Sequence, residues 1–459
     1  MTVNSLEALD RQHWVHPVAN WAGHEARGVT IMKSAKGAVV TDADGHRLLD
    51  GFAGLWCVNV GYGHESIVEA AAKQMRELPY ATGYFSFGSE PAIRLAAKLA
   101  EITPGDLNHI YFSLGGSDAV DSALRLIRYY HTATGRPTKR AIISLERGYH
   151  GSSSTGSGVT ALPAFHQNFG IDPQTQHYIA SPYPYRNPAG SDDEAVIAAS
   201  VAALRAKVEE LGTENVAAFF CEPVQGSGGV VVPPKGWLKA MRDAAAELDI
   251  LFVADEVITG FGRTGPMFAC EAEGIVPDMM TMAKGLTSGY APLGALAIGE
   301  KVYRGIKDNA PDGGPVGHGY TYSGHPVSAA VALEVIRLYE EGGILANGQR
   351  AGRRFEEKLA TLCDHPLVGE VRARGLLAGV ELVVDKAAKT KPPKEAKLSQ
   401  HLFDRGYANG LIFRAFADDI IGLAPPLCCS DAEIDEIVAK LRKTLDEMLD
   451  LPEIKAALR

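Results

Sequence analysis

Two residues 29 positions apart (284 − 255) carry the first chemical signal in this chain. The apolar run Ile250–Ala254 delivers Asp255 and Glu256 at its end, and the apolar run Met279–Ala283 ends in Lys284-Gly285. A lysine amine stripped of water has a lowered pKa and can attack a carbonyl to form a Schiff base. A carboxylate taken out of water needs a cationic or hydrogen-bonding partner. Singly, each has an ordinary explanation: a solvated lysine opening a loop, and an aspartate bound to backbone N–H groups at a strand end. Together they match the needs of pyridoxal phosphate, a lysine to hold the aldehyde and a carboxylate to keep the pyridine nitrogen protonated.

That cofactor also needs a phosphate cradle. Ile110-Tyr111-Phe112-Ser113-Leu114-Gly115-Gly116-Ser117 runs from a strand pattern through two glycines into a helix pattern, where exposed N–H groups and the helix dipole attract a dianion. Ala119, Ala123, Leu126, Ile127 and Tyr130 fall near helical spacing. Read alone, this is equally an ordinary Gly-rich turn. Neither nucleotide fingerprint, G-x-G-x-x-G or G-x-x-x-x-G-K-[ST], occurs at this spot. A rival is a serine hydrolase: Gly115-Gly116-Ser117-Asp118-Ala119 misses the G-x-S-x-G elbow by one residue, with Ser117 as nucleophile and Asp255 followed by His318 or His325 supplying the triad order. That reading leaves Lys284 without a role. A third reading is a non-catalytic vitamin-binding or assembly protein.

The elements that must position these residues are legible as alternation. Between about residues 65 and 325, helical patterns alternate with short apolar runs at His109–Ser113, Ala141–Ser144, Val216–Cys221, Ile250–Ala254, Met279–Ala283 and Leu293–Ile298. Such alternation predicts an α/β protein with a mostly parallel sheet sandwiched by helices, whose ligands bind beyond the carboxyl ends of the strands. The ends read differently. Ala38–Asp50 carries an Asp42-Ala43-Asp44-Gly45 turn signal, and Val368–Val384 reads as two strands around Gly375. Ser430 and Glu433 form a capping box before a helix with Ile434, Ile437, Val438, Leu441 and Leu445 on one face. A smaller α/β domain built from both termini is expected: 1–64 an arm and part of the small domain, 65–325 the large domain, 326–459 the rest of the small domain. The Lys- and Pro-rich stretch Lys386–Lys397 reads as a solvated surface loop.

Composition narrows the partners. At 459 residues, 46% hydrophobic and 22% charged, the chain is long enough for a large core and has ordinary globular chemistry. With 55 acidic against 45 basic residues, the net charge of −10 disfavours a phosphate backbone as partner. The apolar runs fall far short of the roughly 18 residues of a membrane helix. The first twenty residues carry no signal-peptide or transit pattern, so a cytoplasmic location is expected. Six cysteines without a Cys-x-x-Cys pair predict reduced thiols and no metal site, and the adjacent Cys428 and Cys429 read as core residues.

At this point the chain resembles the class III aminotransferases, in the fold-type I group of pyridoxal phosphate enzymes. The likeness runs from Gly37–Asp50 to the C-terminal helix. It is carried by Leu251-Phe252-Val253-Ala254-Asp255-Glu256-Val257, Gly260-Phe261-Gly262-Arg263-Thr264-Gly265, Pro277-Asp278, Ala283-Lys284-Gly285 and Thr321-Tyr322-Ser323-Gly324-His325-Pro326. Gly54-Leu55-Trp56-Cys57-Val58-Asn59-Val60-Gly61-Tyr62-Gly63 looks like the pyruvate-dependent ω-amine and β-alanine branch.

The resemblance implies that Lys284 is the Schiff-base lysine and proton carrier and that Asp255 pairs with the pyridinium nitrogen. It implies that Tyr149 stacks on one ring face and Val257 presses on the other, that Gly116 and Ser117 bind the phosphate, and that Thr321 serves the neighbouring subunit of a homodimer. Glu222 matches a position near the site. Where the family commonly has Ser-Gly-Ser this chain has Gly115-Gly116-Ser117, so one hydroxyl is absent. Asp118 would repel a phosphate it faced, so its side chain is expected to turn toward the helix N-terminus or a water. Arg414 matches the arginine that binds the keto-acid carboxylate, its ordinary alternative being a surface ion pair with Asp418 or Asp419. Trp56, Tyr84, Phe85 and Tyr149 would line an apolar amine pocket. The implied activity is ping-pong transfer of an amino group from a primary amine or ω-amino acid to pyruvate, with 2-oxoglutarate as the alternative acceptor. The donor stays open among β-alanine, putrescine, aryl-alkyl amines and taurine-like compounds.

Overall fold

In a computed structural model of the chain, describing residues 3–171, 175–310 and 314–458, fifteen strands can be followed among the described residues. The strands are β1 (Met32–Lys36), β2 (Val39–Asp42), β3 (Arg47–Asp50), β4 (His109–Ser113), β5 (Ala141–Leu145), β6 (Gln176–Ile179), β7 (Val216–Cys221) and β8 (Leu251–Asp255). They continue with β9 (Met279–Met282), β10 (Gly294–Ile298), β11 (Val368–Ala373), β12 (Ala378–Leu382), β13 (Leu411–Ile412), β14 (Arg414–Ala415) and β15 (Ile420–Leu423).

The large sheet has the order β4-β10-β9-β8-β7-β5-β6. Pairs β5–β6, β5–β7, β7–β8 and β8–β9 are parallel, and β10 runs antiparallel to both β4 and β9. Six strands therefore point one way. The chain ahead of Gly115, Glu146, Glu222, Asp255 and Lys284 leaves the sheet at one edge. Every residue of β5, β7, β8 and β10 is buried, which accounts for their unbroken apolar runs: a strand covered on both faces has no solvent side to alternate toward. The six anticipated runs all form strands. The unanticipated one, β6, is a short edge strand of Gln-His-Tyr-Ile, whose half-exposed residues carry no apolar signal.

Helix Gly116–Ala133 buries Ala119, Ala123, Leu126, Ile127 and Tyr130, the predicted face. Each fully buried large aliphatic there contributes about 1.5–3 kcal/mol. Two four-stranded sheets, β1-β2-β3-β13 and β11-β12-β15-β14, make the smaller α/β part. It is assembled from both ends of the chain: Leu411 and Ile412 pair in parallel with Leu49 and Asp50. The Ser430 capping box forms as expected and all five predicted face residues of its helix are buried. Such a cap is worth about 1 kcal/mol. Helix Pro326–Glu340 packs on helices Glu65–Glu77 and Glu90–Ile102 of the large part.

Lys386–Lys397 departs from the solvated loop expected. Lys391 reaches the fully buried Glu381 at 2.9 Å, Lys389 donates to the Tyr185 carbonyl at 2.7 Å, and Lys386 donates to the Cys363 carbonyl at 2.8 Å. Lys389 and Lys391 are partly covered by these contacts, while Lys386, Lys394 and Lys397 stay exposed on the surface. All six cysteines are free, including Cys428 and Cys429.

Candidate active site

Asp255 closes β8 opposite Thr281 of β9, three residues before Lys284 (284 − 281). It is 4% exposed, and its carboxylate is heavily engaged. Oδ1 accepts from the Thr281 hydroxyl at 2.9 Å and the Val257 N–H at 3.1 Å, while Oδ2 lies 2.7 Å from His150 Nδ1. A carboxylate offers about four acceptor positions, so one remains free. Lys284 sits in the left-handed region at φ 47°, a conformation that costs a non-glycine residue about 1–3 kcal/mol and persists where surroundings impose it. Its amine has no hydrogen-bond or ion-pair partner among the described residues and lies 5.7 Å from the centre of the Trp56 ring. Burial pulls the amine below the ordinary lysine range, against the opposing pull of Asp255 and then Glu222 and Cys57.

The glycine turn after β4 leads straight into the helix Gly116–Ala133. Its first backbone return is from Ala119 N to Gly115 O at 3.1 Å, which leaves the N–H groups of the first turn directed outward. A Cβ on Gly116 would meet Val257 Cγ1 at 3.0 Å, so Val257 lies directly against the turn. A Cβ on Gly151 would strike the Ser117 hydroxyl at 2.6 Å, and that oxygen accepts from Ser152 N at 3.4 Å. Gly116, Ser117, Val257 and the Gly148–Gly151 loop are thus brought together. The Asp118 carboxylate turns back to accept from the Leu114 N–H, away from the turn's open donors.

Tyr149 hangs on Glu222: Oε1 of Glu222 accepts from Tyr149 N at 2.8 Å and Oε2 accepts from Gly226 N at 2.7 Å. The Tyr149 ring lies 5.1 Å from that of Phe165. Burial pushes the Glu222 carboxyl up to about 7, with the His150 effect opposing. His150 is a residue that sequence reasoning passed over. It is 2% exposed, Nδ1 is on Asp255, and Nε2 is buried without a partner. Thr281, concealed inside an apolar strand, was equally unmarked. The pairing of β8 with β9 gives Thr281 its place, and the loop after β5 brings His150 to the same carboxylate.

Trp56 is buried at φ 56°, tilted against Phe52 at 4.4 Å and stacked with Phe416 at 6.4 Å. Arg414 lies over the Phe416 ring at 5.6 Å and makes no ion pair among the described residues. The alternative ion pair with Asp418 or Asp419 is not formed, and Asp418 pairs with Arg147 instead. Tyr84, Phe85 and Thr321 stand apart from this pocket. Phe85 is 85% exposed, Tyr84 lies against Gly319, and the Thr321 carbonyl accepts from the Tyr80 hydroxyl at 3.0 Å. The hydrolase triad is absent as well. The imidazole on Asp255 belongs to His150, and His318 instead meets the Ser122 hydroxyl at 2.8 Å.

Comparison with known proteins agrees with this geometry. The family model for class III aminotransferases matches residues 22–445. The putrescine–pyruvate aminotransferase of Pseudomonas aeruginosa is 39% identical over 442 residues, covering 96% of each chain. The diaminobutyrate–2-oxoglutarate transaminase of Halomonas elongata is 38% identical, covering 92% of this chain and 91% of its own. An (S)-enantioselective ω-transaminase from Thermomicrobium roseum superposes with a TM-score of 0.95 at 39% identity, covering 98% of this chain and 100% of the other. A helix long and apolar enough to cross a membrane is not found among the described residues. With a fold-type I sheet, a partly buried lysine near a buried aspartate, and similarity along almost its whole length, this chain belongs to the class III aminotransferases.

Proposed function

We propose that the protein is a pyridoxal phosphate enzyme moving an amino group from a primary amine or ω-amino acid to pyruvate. The observation that carries this reading is the unpartnered, desolvated Lys284 amine one strand away from the engaged carboxylate of Asp255. The residues present fit the cofactor. Asp255 retains an acceptor position for a ring N–H, Gly116 and Ser117 offer outward N–H groups and a hydroxyl to a phosphate, and Val257 with Tyr149 supply apolar faces for a flat ring. When bound, the cofactor supplies an aldehyde and an electron-withdrawing ring that stabilises negative charge on the substrate carbon.

The chain's own residues do the rest. His150, 2.7 Å from Oδ2, fixes the Asp255 carboxylate so that its remaining acceptor position faces the ring nitrogen. Lys284, whose amine burial pulls below the ordinary lysine range, is the group placed to take a proton at Nζ and return it to a neighbouring carbon. Glu222 fixes the backbone of Tyr149 and so the height of its ring. Trp56 and Phe416 present apolar surface to the amine substituent, and Arg414, free of an acid partner, binds the keto-acid carboxylate. Exposed Tyr84, Phe85 and Thr321 serve the site of a second copy, which makes the active form a homodimer. Six free cysteines suit the reducing cytoplasm.

Pyruvate is favoured over 2-oxoglutarate by the likeness to the putrescine–pyruvate relative and the ω-transaminase, although a 2-oxoglutarate relative is nearly as similar. The test mixes purified protein with putrescine, β-alanine, an aryl-alkyl amine and taurine in turn and follows the cofactor absorbance, then adds pyruvate or 2-oxoglutarate. Conversion by an amine and reversal by pyruvate with release of alanine is the expected result. Reversal by 2-oxoglutarate alone overturns the acceptor, and no conversion by any amine overturns the activity.

A further inference from the structure

Away from the catalytic pocket, three side chains of the N-terminal arm converge. Asp10 comes from helix Val3–His13, His24 from helix Trp21–Arg27, and His16 from the chain between them. Asp10 Oδ1 is 2.7 Å from His16 Nε2, and Oδ2 is 2.7 Å from His24 Nε2. The two imidazoles lie 4.3 Å apart by centroid, and Trp14 stacks on His16 at 4.3 Å. One donor atom from each of the three residues falls within 4.8 Å of the others. Side-chain exposures of 8%, 19% and 17% for Asp10, His16 and His24 leave the cluster mostly covered yet open to one or two waters.

We propose that Asp10, His16 and His24 form a divalent transition-metal site that fastens the two helices of the arm to each other. Two imidazoles and one carboxylate are the ligand set of zinc sites that keep a position for water, and imidazole nitrogen selects Zn²⁺ or Co²⁺ over Mg²⁺ or Ca²⁺. Bonds of about 2.0–2.1 Å from a tetrahedral ion set its ligand atoms roughly 3.3 Å apart. The present N···O separations of 2.7 Å therefore open by roughly 0.6 Å on binding.

A second cluster, Asp42, Asp44 and His46, shows what a non-site looks like. There Asp42 Oδ1 accepts from the backbone N–H of Asp44 at 2.9 Å and of His46 at 2.8 Å, and Oδ2 is taken by His46 and the Tyr407 hydroxyl. Its oxygens build a turn and are spent on it. Asp10, in contrast, meets only the two histidines among the described residues. The arm's contact with the body includes the half-exposed Arg27–Asp404 pair at 2.7 Å, a weak tether in water. A metal cross-link within the arm would supply rigidity that its short helices lack.

The experiment uses tag-free, cofactor-loaded full-length protein, stripped with chelator and titrated with Zn²⁺ and with Co²⁺. The expected result is one ion per chain, with the visible d–d absorption of tetrahedral Co²⁺ and no near-ultraviolet thiolate-to-metal band. The double variant His16→Gln/His24→Gln is expected to weaken binding by about 100-fold or more, and Asp10→Asn by about 10-fold, each with an unchanged metal-free melting curve. Absence of saturable binding, binding undiminished in the double variant, or a thiolate band pointing to the exposed Cys363 would each overturn the proposal. None of these readouts depends on whether the enzyme transaminates.

Discussion

At the carboxyl ends of β7 and β8, the carboxylates find their partners inside one chain: Asp255 holds His150, Thr281 and Val257, and Glu222 holds Tyr149 and Gly226. The segment around residues 80–87 and the facing segment around 319–325 are the reverse. Phe85 and Phe87 are 85% and 67% exposed, Tyr322 is 55% exposed, and their known contacts are largely with one another. The first region is a finished pocket. The second is a surface of exposed aromatic rings, the face that the proposed homodimer would cover.

The contrast can be broken in order of effect. Lys284→Ala removes the amine proposed to carry the substrate's proton, and turnover with amine and pyruvate is expected to fall by about 10⁴-fold or more while the fold persists. Turnover within tenfold of wild type in a steady-state assay would remove the lysine from the mechanism. Phe85→Asp places a charge on the unfinished surface, and desolvating it against a partner costs several kcal/mol. Sedimentation should show dissociation, with specific activity falling at the same dilution. A monomeric wild type, or an unaffected variant, would end the idea of a shared site.

Arg414→Leu sharpens the comparison at the pocket's mouth. Losing a charge-assisted pair worth about 1.5–3 kcal/mol should raise the keto-acid KM by about 10- to 100-fold and leave the amine half-reaction within about threefold. Stopped-flow measurement of the two half-reactions separates these outcomes. The smallest effect concerns Glu222. Its folded-state pKa of about 7 lies above its ordinary value of 4.5, so between those values the folded protein holds a proton that the unfolded chain has lost. Stability from this group is present below about pH 4.5 and is lost as pH rises toward 7, by up to about 3 kcal/mol. Glu222→Gln should flatten that decline in a series of melting curves between pH 5 and 8, and an unchanged slope would assign it to other groups.

Much of the pocket was legible in the sequence because strand ends announce themselves. Asp255 and Lys284 each follow an unbroken apolar run, and Gly115-Gly116 interrupts a strand-to-helix transition, so their convergence on one sheet edge follows from parallel topology alone. His150 and Thr281 carried no such mark. A histidine after a tyrosine and a threonine among methionines become meaningful only when β8 and β9 pair and the 146–150 loop folds over them. The absence of the alternative Arg414 ion pair was hidden for a similar reason, since nothing in the order of residues shows that Arg147 reaches Asp418 across 271 positions (418 − 147). The N-terminal arm was read only for targeting signals, and its His–Asp–His cluster joins residues whose spacing of six and eight matches no familiar ligand motif (16 − 10, 24 − 16).

Local pattern by itself determined which residues lie in strands and helices, which faces are apolar, and that a lysine and an aspartate end neighbouring runs, because burial on a periodic backbone writes a periodic code. Tertiary structure alone decided which polar groups share a carboxylate, which cation is left unpaired, and which apolar surface stays uncovered. Those are contacts between distant segments, and their energies depend on positions within a few tenths of an ångström that no one-dimensional pattern records.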